Sequence, residues 1–545
     1  MRCALRALVV AAFLAWPAAA MAEQIGEAGA IRIAGRDGKV LDQREKNSGL
    51  THSAAMVDGN WEVSYFADDE RVALVIVDPA TGAVRESWTG HQVAWKMARG
   101  YSGAFGHKLN APYVFLPLCA LFLIGLVDWR RLWRVANLDL LVLLAFGISH
   151  FFFNRGEIDA SVPLQYPPLL YFLGRGLWIG FRGRGEGIRP VWSAGWLLVA
   201  ALFLIGFRVG LNVADSGAID VGYASVVGAD RITHGEPIYD NFSGDVLQGD
   251  TYGSVNYLAY TPFELIWPWS GSWDDLPAAH GAAVGFDLAT VALLILLGRR
   301  LRPGPAGNKL AATLTFAWAA YPYTAFVLES NSNDTLVALL LVATLLVLAR
   351  PAARGVLLAL ASLTKFAPAL LAPMLATYRP TGPVAAGDPP PLPVAKASSG
   401  VGPPTAPPAG ATFAIAFLIT VALMMLWPSI DPGLSTFYDR TIAYQADRNS
   451  PFSIWGQVAA LEPLRIGILI AVGAMAMLFA FRPREKSLVQ VAALGAALLI
   501  AVQLTAEHWF YLYIVWFYPL LLVALAAVGK EGGDAPNGRI LKVAR

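Results

Sequence analysis

The stretch GWLLVAALFLIGFRVGLNVADSGAIDVGYASVVGADRITHGEPIYD, residues 195–240, decides the fold class of this chain. Residues 195–214 are almost entirely apolar, and they match the ~20 residues that an α-helix needs to cross a bilayer. Acidic, aromatic and polar residues follow directly where the apolar run ends. The stretch therefore predicts a transmembrane helix that opens onto a polar segment at the membrane surface.

The composition extends this reading to the whole chain. Of its 545 residues, 56% are hydrophobic and only 15% are charged, whereas about 25% of the residues in soluble domains are charged. The two cysteines, Cys3 and Cys119, and seven scattered histidines have no disulfide or metal-ligand spacing. We therefore expect an all-α polytopic membrane protein in the plasma membrane, with no metal site and no nucleic-acid partner.

The N-terminal region has a different character. Residues 1–22 combine a basic start, an apolar run and the small residues AMA, which is typical of a secretory signal peptide, although a retained first helix is the alternative. Residues 23–110 predict a small α+β domain outside the cytoplasm, because NWEVSYFADDERVALVIVDPATGAVRESW alternates apolar and polar residues on either side of a DPATG turn. The pattern of Trp61, Val77-Asp78 and Trp88-Thr89 resembles the PepSY-type module.

Basic loops then set the orientation of the membrane helices, since Lys and Arg concentrate on the cytoplasmic side. Residues 111–190 hold three accessory helices, and residues 191–530 hold the main membrane domain. About 11 spans are predicted, at residues 111–127, 138–154, 163–181, 191–213, 279–298, 309–327, 334–349, 411–427, 463–481, 488–504 and 511–528. The Pro-rich linker 379–410 and the tail 531–545 are expected in the cytoplasm.

One further apolar segment, residues 355–377, does not fit as a single crossing. If it crossed once, the later basic loop RPREK would face outward and the whole basic bias would invert. We therefore predict a re-entrant hairpin, broken around Lys365, Pro368 and Pro373. Irregular backbone at this depth is tolerated only where it lines a protein cavity.

Polar residues collect in the outward loops, and each has an ordinary explanation beside a functional one. Asp220 is either a functional carboxylate of an outward-facing site or a solvated loop acid or helix N-cap. Arg440 either meets an anion or is a solvated loop charge, and the second explanation is favoured. Lys365 either meets an anion or extends to the cytoplasmic surface. Asp287, near the outer end of its helix, reads as an interfacial residue, and Asp215 as a residue that caps a helix end.

The order of these motifs resembles the GT-C superfamily of polyprenyl-phosphate-sugar-dependent glycosyltransferases, and most closely glycosyltransferase family 87, the α-mannosyltransferase type. Over residues 195–530 the matching motifs are AIDVGYASVVGADRITHGEPIYD, LAYTPFELIWP, SNSNDTLVALLL, LASLTKFAPALLAPML and DRNSPFSIWG. Asn449-Ser450-Pro451 differs from the family's usual Asn-Gln-Ser element. The signal peptide, the PepSY-like domain and the three accessory helices lie outside the family's core.

The resemblance implies transfer of mannose or a related sugar from a polyprenyl-phosphate donor to a glycan or glycolipid acceptor on the extracytoplasmic face, without a cofactor or divalent metal. It implies that Asp220 is the general base. The implied contacts to the donor phosphate and lipid fall on Arg448, His508, Lys365 and Tyr260. The implied substrate contacts fall on Tyr223, Asn333, Asp334, Asn449 and Ser450.

Two other classes remain open from the sequence. A transporter would also use broken helices and buried charge, but it would show inverted repeats, and none is visible in the sequence. A PepSY-linked electron-transfer protein would need paired histidines at matching depth, and His150 and His508 have no convincing partners in the sequence.

Overall fold

The computed structural model describes residues 25–57, 59–67, 70–89, 108–242, 248–273, 275–381, 408–447 and 450–528. The chain divides into two units, residues 1–98 and residues 99–545. The predicted signal peptide, the segment 91–106 that follows the first domain, most of the linker and the tail lie outside the described residues.

The first unit places two helices against one face of a four-stranded antiparallel sheet. Its elements are α1 (Glu27–Ala34), α2 (Gly38–Lys46), β1 (Thr51–Val57), β2 (Asn60–Ala67), β3 (Glu70–Val77) and β4 (Val84–Thr89), and the strand order is β1-β2-β3-β4. The alternating residues Val63, Val75 and Val77 face the helices and pack with Ala30 and Ala34. The predicted hairpin around DPATG is confirmed, but the same stretch contains a third strand, because β2 ends at Ala67 and β3 begins at Glu70.

The turn between β3 and β4 depends on Asp78. Its carboxylate accepts hydrogen bonds from the backbone N–H groups of Ala80 and Thr81, at 2.8 and 3.0 Å, and forms an ion pair with Arg85. The hydrogen bond from Arg85, followed by those from the two backbone amides, lowers the pKa of Asp78 to about 2. The ionised carboxylate therefore holds the turn together.

Replacing Asp78 with alanine is expected to make the first unit easier to unfold at neutral pH, because the turn loses the hydrogen bonds from Ala80, Thr81 and Arg85 at once. In the wild type this stabilisation is fully present above the ordinary Asp pKa of about 4 and is lost as the pH falls towards 2. Limited proteolysis of the full chain measures the effect. Asp42→Ala, on the exposed side of α2, is the control, and equal cleavage rates for the two variants would contradict the role of Asp78.

The second unit is helical. Its longer helices are α3 (Pro112–Leu126), α4 (Val135–Asn154), α5 (Ile158–Arg182), α6 (Ala194–Asp215), α7 (Asp220–His234), α8 (Ser254–Glu264), α9 (Pro277–Leu301), α10 (Gly304–Ala320), α11 (Pro322–Glu329), α12 (Asp334–Leu346) and α13 (Pro351–Ser362). Further along the chain follow both short and long helices: α14 (Ala372–Ala376), α15 (Ala409–Met424), α16 (Leu426–Ile430), α17 (Leu434–Tyr438), α18 (Tyr444–Asp447), α19 (Ile454–Gln457), α20 (Glu462–Phe481), α21 (Leu488–Gln503) and α22 (Ile514–Ala527).

Each predicted span overlaps helical residues, but the span predicted at 309–327 is divided between α10 and α11, and the span predicted at 411–427 between α15 and α16. Four helical segments within the described residues are long and apolar enough to cross a membrane: Val135–Asn154, Ala194–Asp215, Pro277–Leu301 and Ala459–Phe481. Several other apolar helices are shorter, with 10–17 residues each. Helix α5 has 25 residues but contains Pro163, Pro167 and Pro168.

The segment 355–377 forms a hairpin, as predicted. Helix α13 ends at Ser362, and after a turn the chain continues through the helical residues Ala367–Leu371 into α14. Both arms meet the same end of α15, because Gly355 packs against the backbone of Phe413 and Gly410 packs against the carbonyl of Ala376. The turn lies near the other end of α15, where Ser254 donates a hydrogen bond to the carbonyl of Met424 and Val255 N donates to Leu363 O. Lys365 therefore lies at the tip.

Candidate active site at the helix ends

The centre of the candidate site is a buried ion pair. The Nζ atom of Lys365, at the tip of the hairpin, lies 2.6 Å from Oδ1 of Asp334, the first residue of α12. The indole N–H of Trp516 donates to the same oxygen at 2.7 Å, and the hydroxyl of Ser332 donates to Oδ2 at 2.8 Å. Asp334 is 0% and Lys365 8% exposed. Both carboxylate oxygens are thus satisfied, as a buried ion pair requires.

Three aromatic rings surround the ammonium group. Its Nζ lies 5.3 Å from the ring centre of Tyr252, 5.4 Å from that of Tyr513 and 5.1 Å from that of Trp516. The rings of Tyr513 and Trp516 stack at 4.4 Å, and cation–π attraction adds to the ion pair. Lys365 therefore does not extend to the cytoplasmic surface. The predicted contact between Lys365 and a phosphate would require this pair to open.

The ring of Tyr252 reaches the ammonium group of Lys365 because the next residue, Gly253, is a glycine. A Cβ atom on Gly253 would lie 2.1 Å from the carbonyl oxygen of Leu363, so only glycine permits this approach to the hairpin. The close contact places the loop before α8 directly on the tip that carries Lys365. Ser254, the residue after Gly253, donates a hydrogen bond to the carbonyl of Met424 and so attaches the same loop to the end of α15.

A chain of amides connects the ion pair to α7. Asn333, next to Asp334, donates from Nδ2 to Asn256 Oδ1 at 2.7 Å, and Asn256 donates to the hydroxyl of Ser225 at 2.9 Å. Ser225 lies on α7, the helix that Asp220 begins. The carbonyl oxygen Oδ1 of Asn333 is buried without a hydrogen-bond partner among the described residues. The side chain of Asn333 thus holds Asn256 through its Nδ2 atom, while its Oδ1 atom can still accept a hydrogen bond.

Asp220 lies at the accessible end of this chain of contacts. It is the first residue of α7, its side chain is exposed, and its Oδ1 accepts a hydrogen bond from Val221 N at 2.9 Å. The preceding residue, Ile219, donates from its backbone N–H to the carbonyl of Ser330, in the loop that leads to Asp334. A helix N-terminus favours a negative charge. A substrate arriving from solvent can therefore reach the carboxylate of Asp220.

The rings of Tyr252, Tyr513 and Trp516 around Lys365 form an aromatic wall. A second cluster, Ser450 and His508, lies against the ring of Tyr513. The hydroxyl of Ser450 lies 2.9 Å from Nδ1 of His508. The imidazole of His508 packs against Phe452 and Tyr513, with ring centres 5.5 and 6.3 Å away. Because Tyr513 also faces Lys365, one ring joins the two clusters. Arg448 and Asn449, predicted to bind the phosphate and the substrate, lie outside the described residues.

Arg440 is more than the solvated loop charge that the sequence suggested. Its guanidinium makes two hydrogen bonds to the fully buried Asp250, at 2.7 and 2.8 Å, while its side chain stays about one-third exposed. The hydrogen bond that Arg440 donates to Asp250 raises the pKa of Arg440, so the cation is permanent. Asp250 lies two residues before Tyr252, which places Arg440 beside the aromatic wall. The two partners are 190 residues apart, and no local pattern in the sequence indicates the pair.

Tyr223 and Tyr260 have a different setting. Both are buried in one apolar core with residues of α9, and Tyr223 stacks on Trp273 with ring centres 4.3 Å apart. These side chains position α7 and α8, so their predicted contacts with substrate and lipid remain predictions.

The structure thus brings Asn333, Asp334, Lys365, Ser450 and His508 together through Tyr513 and Trp516, and connects them by hydrogen bonds to the helix of Asp220. Sequence reasoning missed Asp250, Asn256 and Tyr252, and also Tyr513 and Trp516 of the YLYIVW stretch. In the part of the chain that the structure describes, no group of three His, Cys, Asp or Glu residues is placed to hold a metal ion. No protein-family model matches this chain, and no curated protein matches its sequence.

Proposed function

We propose that the chain is an integral-membrane glycosyltransferase, which transfers a sugar from a polyprenyl-phosphate donor to a glycan or glycolipid acceptor. The observation that carries the proposal is the convergence of the motifs. Asn333-Asp334, Lys365 and His508 are separated by long stretches of sequence, yet they meet around one aromatic wall beside the helix of Asp220. That arrangement offers the exposed carboxylate of Asp220 and the partly exposed guanidinium of Arg440 at the ends of apolar helices.

The membrane setting rests on the helices themselves. Helix α6 exposes Trp196, Leu202 and Phe203 while it buries Arg208 and Asn212. Apolar surface of this kind is rare on proteins in water but matches the lipid-facing side of a transmembrane helix. Together with the basic loops, this supports a multi-pass protein of the plasma membrane. The same loop pattern favours an extracytoplasmic position for Asp220 and His508.

The proposed reaction uses few protein groups. The bond from the anomeric carbon to the phosphate oxygen breaks, and its electron pair leaves with the polyprenyl phosphate. A new bond forms from that carbon to the acceptor oxygen, whose proton passes to the carboxylate of Asp220. His508 and Arg440 lie at the accessible edge of the wall and offset the charge that develops on the phosphate. The buried pair of Lys365 and Asp334 does not contact the substrate; it holds the aromatic wall in position.

The direct test supplies membranes containing the protein with polyprenyl-phosphate mannose, arabinose or glucose, each labelled in the sugar. Label should move from one lipid donor into a glycan or glycolipid, and the same membranes without the protein should show no transfer. If none of the three donors loses its sugar, the proposal is wrong. Flux into proteoliposomes would then favour a transporter, and a haem absorption band would favour electron transfer.

Replacing His508 is expected to have an intermediate effect on the turnover number. Replacing it with alanine removes a hydrogen-bond donor to the departing phosphate and should lower the turnover number about 10²-fold. His508→Gln keeps a donor in a similar position and should retain more activity. Initial rates at saturating donor measure the difference. As a control, Arg465→Ala removes a cation that is paired with Glu462 and Glu507, and a loss as large as that of His508→Ala would show that any cation near this surface matters equally.

A further inference from the structure

A second polar group lies inside the helices, apart from the candidate active site. Arg208, buried in α6, donates from its guanidinium to Asp287 Oδ1 on α9 at 2.8 Å and to the carbonyls of Trp318 and Thr324 at 3.2 and 2.9 Å. The indole N–H of Trp318 donates to the same oxygen of Asp287 at 2.8 Å. Asp287 is therefore not an interfacial residue, as its position in the sequence suggested. It is the counterion of an arginine in the helix interior.

Glu329, the last residue of α11, lies near this pair but takes no part in it. The residue is 1% exposed, and neither carboxylate oxygen has a hydrogen-bond partner among the described residues. Arg208 is committed to Asp287 and to backbone carbonyls, with only its Nε atom left over. An ionised carboxylate without a partner in apolar surroundings is far more costly than the neutral acid.

The charged groups around Glu329 do not supply a counterion. Arg208, Asp215 and Asp287 interact electrostatically with Glu329. His280 and Asp334 lie on helices α9 and α12, which pack against α11, and His150 contacts Phe326 of α11. Each of the three aspartates has its own cation: Arg208 for Asp287, Lys108 for Asp215 at 2.8 Å, and Lys365 for Asp334. His280 bonds to Asn212 and Ser216, and His150 stacks on Tyr511. Glu329 is the acid in this group that has neither a cation nor a donor.

Directly after Glu329 comes the loop 330–333, which leads to Asp334. Asn331 adopts a left-handed backbone conformation, with φ of 49°, and is held there by Asn212, which donates to its Oδ1 at 2.8 Å. Asn331 in turn donates to the hydroxyl of Ser216 at 2.9 Å. The carbonyl of Ser330 accepts the backbone N–H of Ile219. The loop thus connects Glu329 to the start of α7 through short polar contacts.

We propose that Glu329 is a proton-binding site within the helical unit, a neutral carboxylic acid in this conformation whose deprotonation opens the loop 330–333. When the proton leaves, the new charge must find water or a cation. The surrounding cations already pair with aspartates, so in this proposal the carboxylate becomes hydrated through movement of the adjacent loop. The inference is independent of the glycosyltransferase proposal, since it depends on burial and pairing alone.

Carbodiimide labelling of the intact wild-type protein in detergent tests this directly. An apolar carbodiimide adds to a protonated carboxyl group in an apolar site, and peptide mass spectrometry locates the adduct. We expect labelling of Glu329 near neutral pH, loss of most of that labelling at high pH, and none on Asp287, which shares its burial but is paired with Arg208. No adduct on Glu329 at any pH would overturn the proposal. Equal labelling by a water-soluble carbodiimide would also overturn it, because the site would then be open to water.

Two variants test the coupling to the loop by hydrogen exchange, corrected for the intrinsic effect of pH. Glu329→Gln keeps the shape but cannot titrate, so the protection of the amides in residues 330–333 should no longer depend on pH. Glu329→Asp keeps the acid and should retain the dependence. Wild-type protection that falls as the pH rises supports the proposal. The same pH response in Glu329→Gln would overturn the coupling.

Discussion

Replacing Lys365 with methionine is expected to lower the free energy of unfolding by about 3–5 kcal/mol, because it leaves Asp334 as a buried charge without its cation. The methionine side chain is similar in length to that of lysine and fits against the aromatic wall of Tyr252, Tyr513 and Trp516. Steric change therefore contributes little to the loss. The midpoint of thermal unfolding in detergent, followed by light scattering and intrinsic fluorescence, measures it. Much of the variant should also fail to accumulate in membranes.

The matched control is Lys309→Met. Lys309 is half-buried at the start of α10 and forms no ion pair with an acid among the described residues. Its replacement should change the unfolding midpoint little. If both lysine variants lose stability equally, the loss reflects the removal of any positive charge rather than the broken pair.

The double variant Lys365→Met, Asp334→Leu separates pairing from packing. Because it removes both charges together, the buried-charge penalty disappears, and the double variant should be more stable than Lys365→Met alone. Trp516 and Ser332 lose an acceptor, so stability should not return fully to that of the wild type. A double variant as unstable as the sum of the two single changes would contradict the importance of the pair.

The helices were predictable from the sequence because each needs only a local property. An apolar run of sufficient length forms a helix in a membrane wherever it occurs, since its backbone groups can be satisfied only internally. The hairpin at residues 355–377 was predictable for a related reason. Lys365 and two prolines interrupt an otherwise apolar segment, and the basic loops required both ends of the segment on one side.

The partners inside the site were not predictable, because each pair joins distant parts of the chain. Asp334 meets Trp516 across 182 residues, and Arg208 meets Asp287 across 79. A sequence shows that a buried charge needs a partner, but helix packing decides which one it receives. The same reason explains why Asp334 and Lys365 were predicted as separate ligands for substrate and phosphate. Neither residue alone indicates that the other is its counterion.

For Asp220, the position at the membrane surface was predictable from the sequence, but the surroundings of the side chain were not. Its position after an apolar run indicated a polar residue at the membrane surface, and the resemblance of the surrounding motif suggested a base. The structure places it as the first residue of α7, exposed and hydrogen-bonded to Val221 N. Asp215, five residues earlier, ends α6 and forms an ion pair with Lys108. The two acids thus have different surroundings, and Asp215→Asn serves as the control for Asp220→Asn.

Asp220→Asn is expected to slow sugar transfer by about 10²–10⁴-fold, the largest effect on activity that we predict, because asparagine keeps the shape of the side chain but cannot accept the acceptor's proton. Helix α7 should remain intact, since the amide oxygen can still accept the hydrogen bond from Val221 N. The variant should therefore accumulate normally and bind the polyprenyl-phosphate donor as the wild type does, so the loss should appear in the turnover number rather than in donor binding. Single-turnover transfer from labelled donor, compared with equilibrium binding of the same donor, separates the two quantities. Transfer within a few-fold of the wild type in Asp220→Asn, together with an inactive Asp215→Asn, would assign the base to the other aspartate.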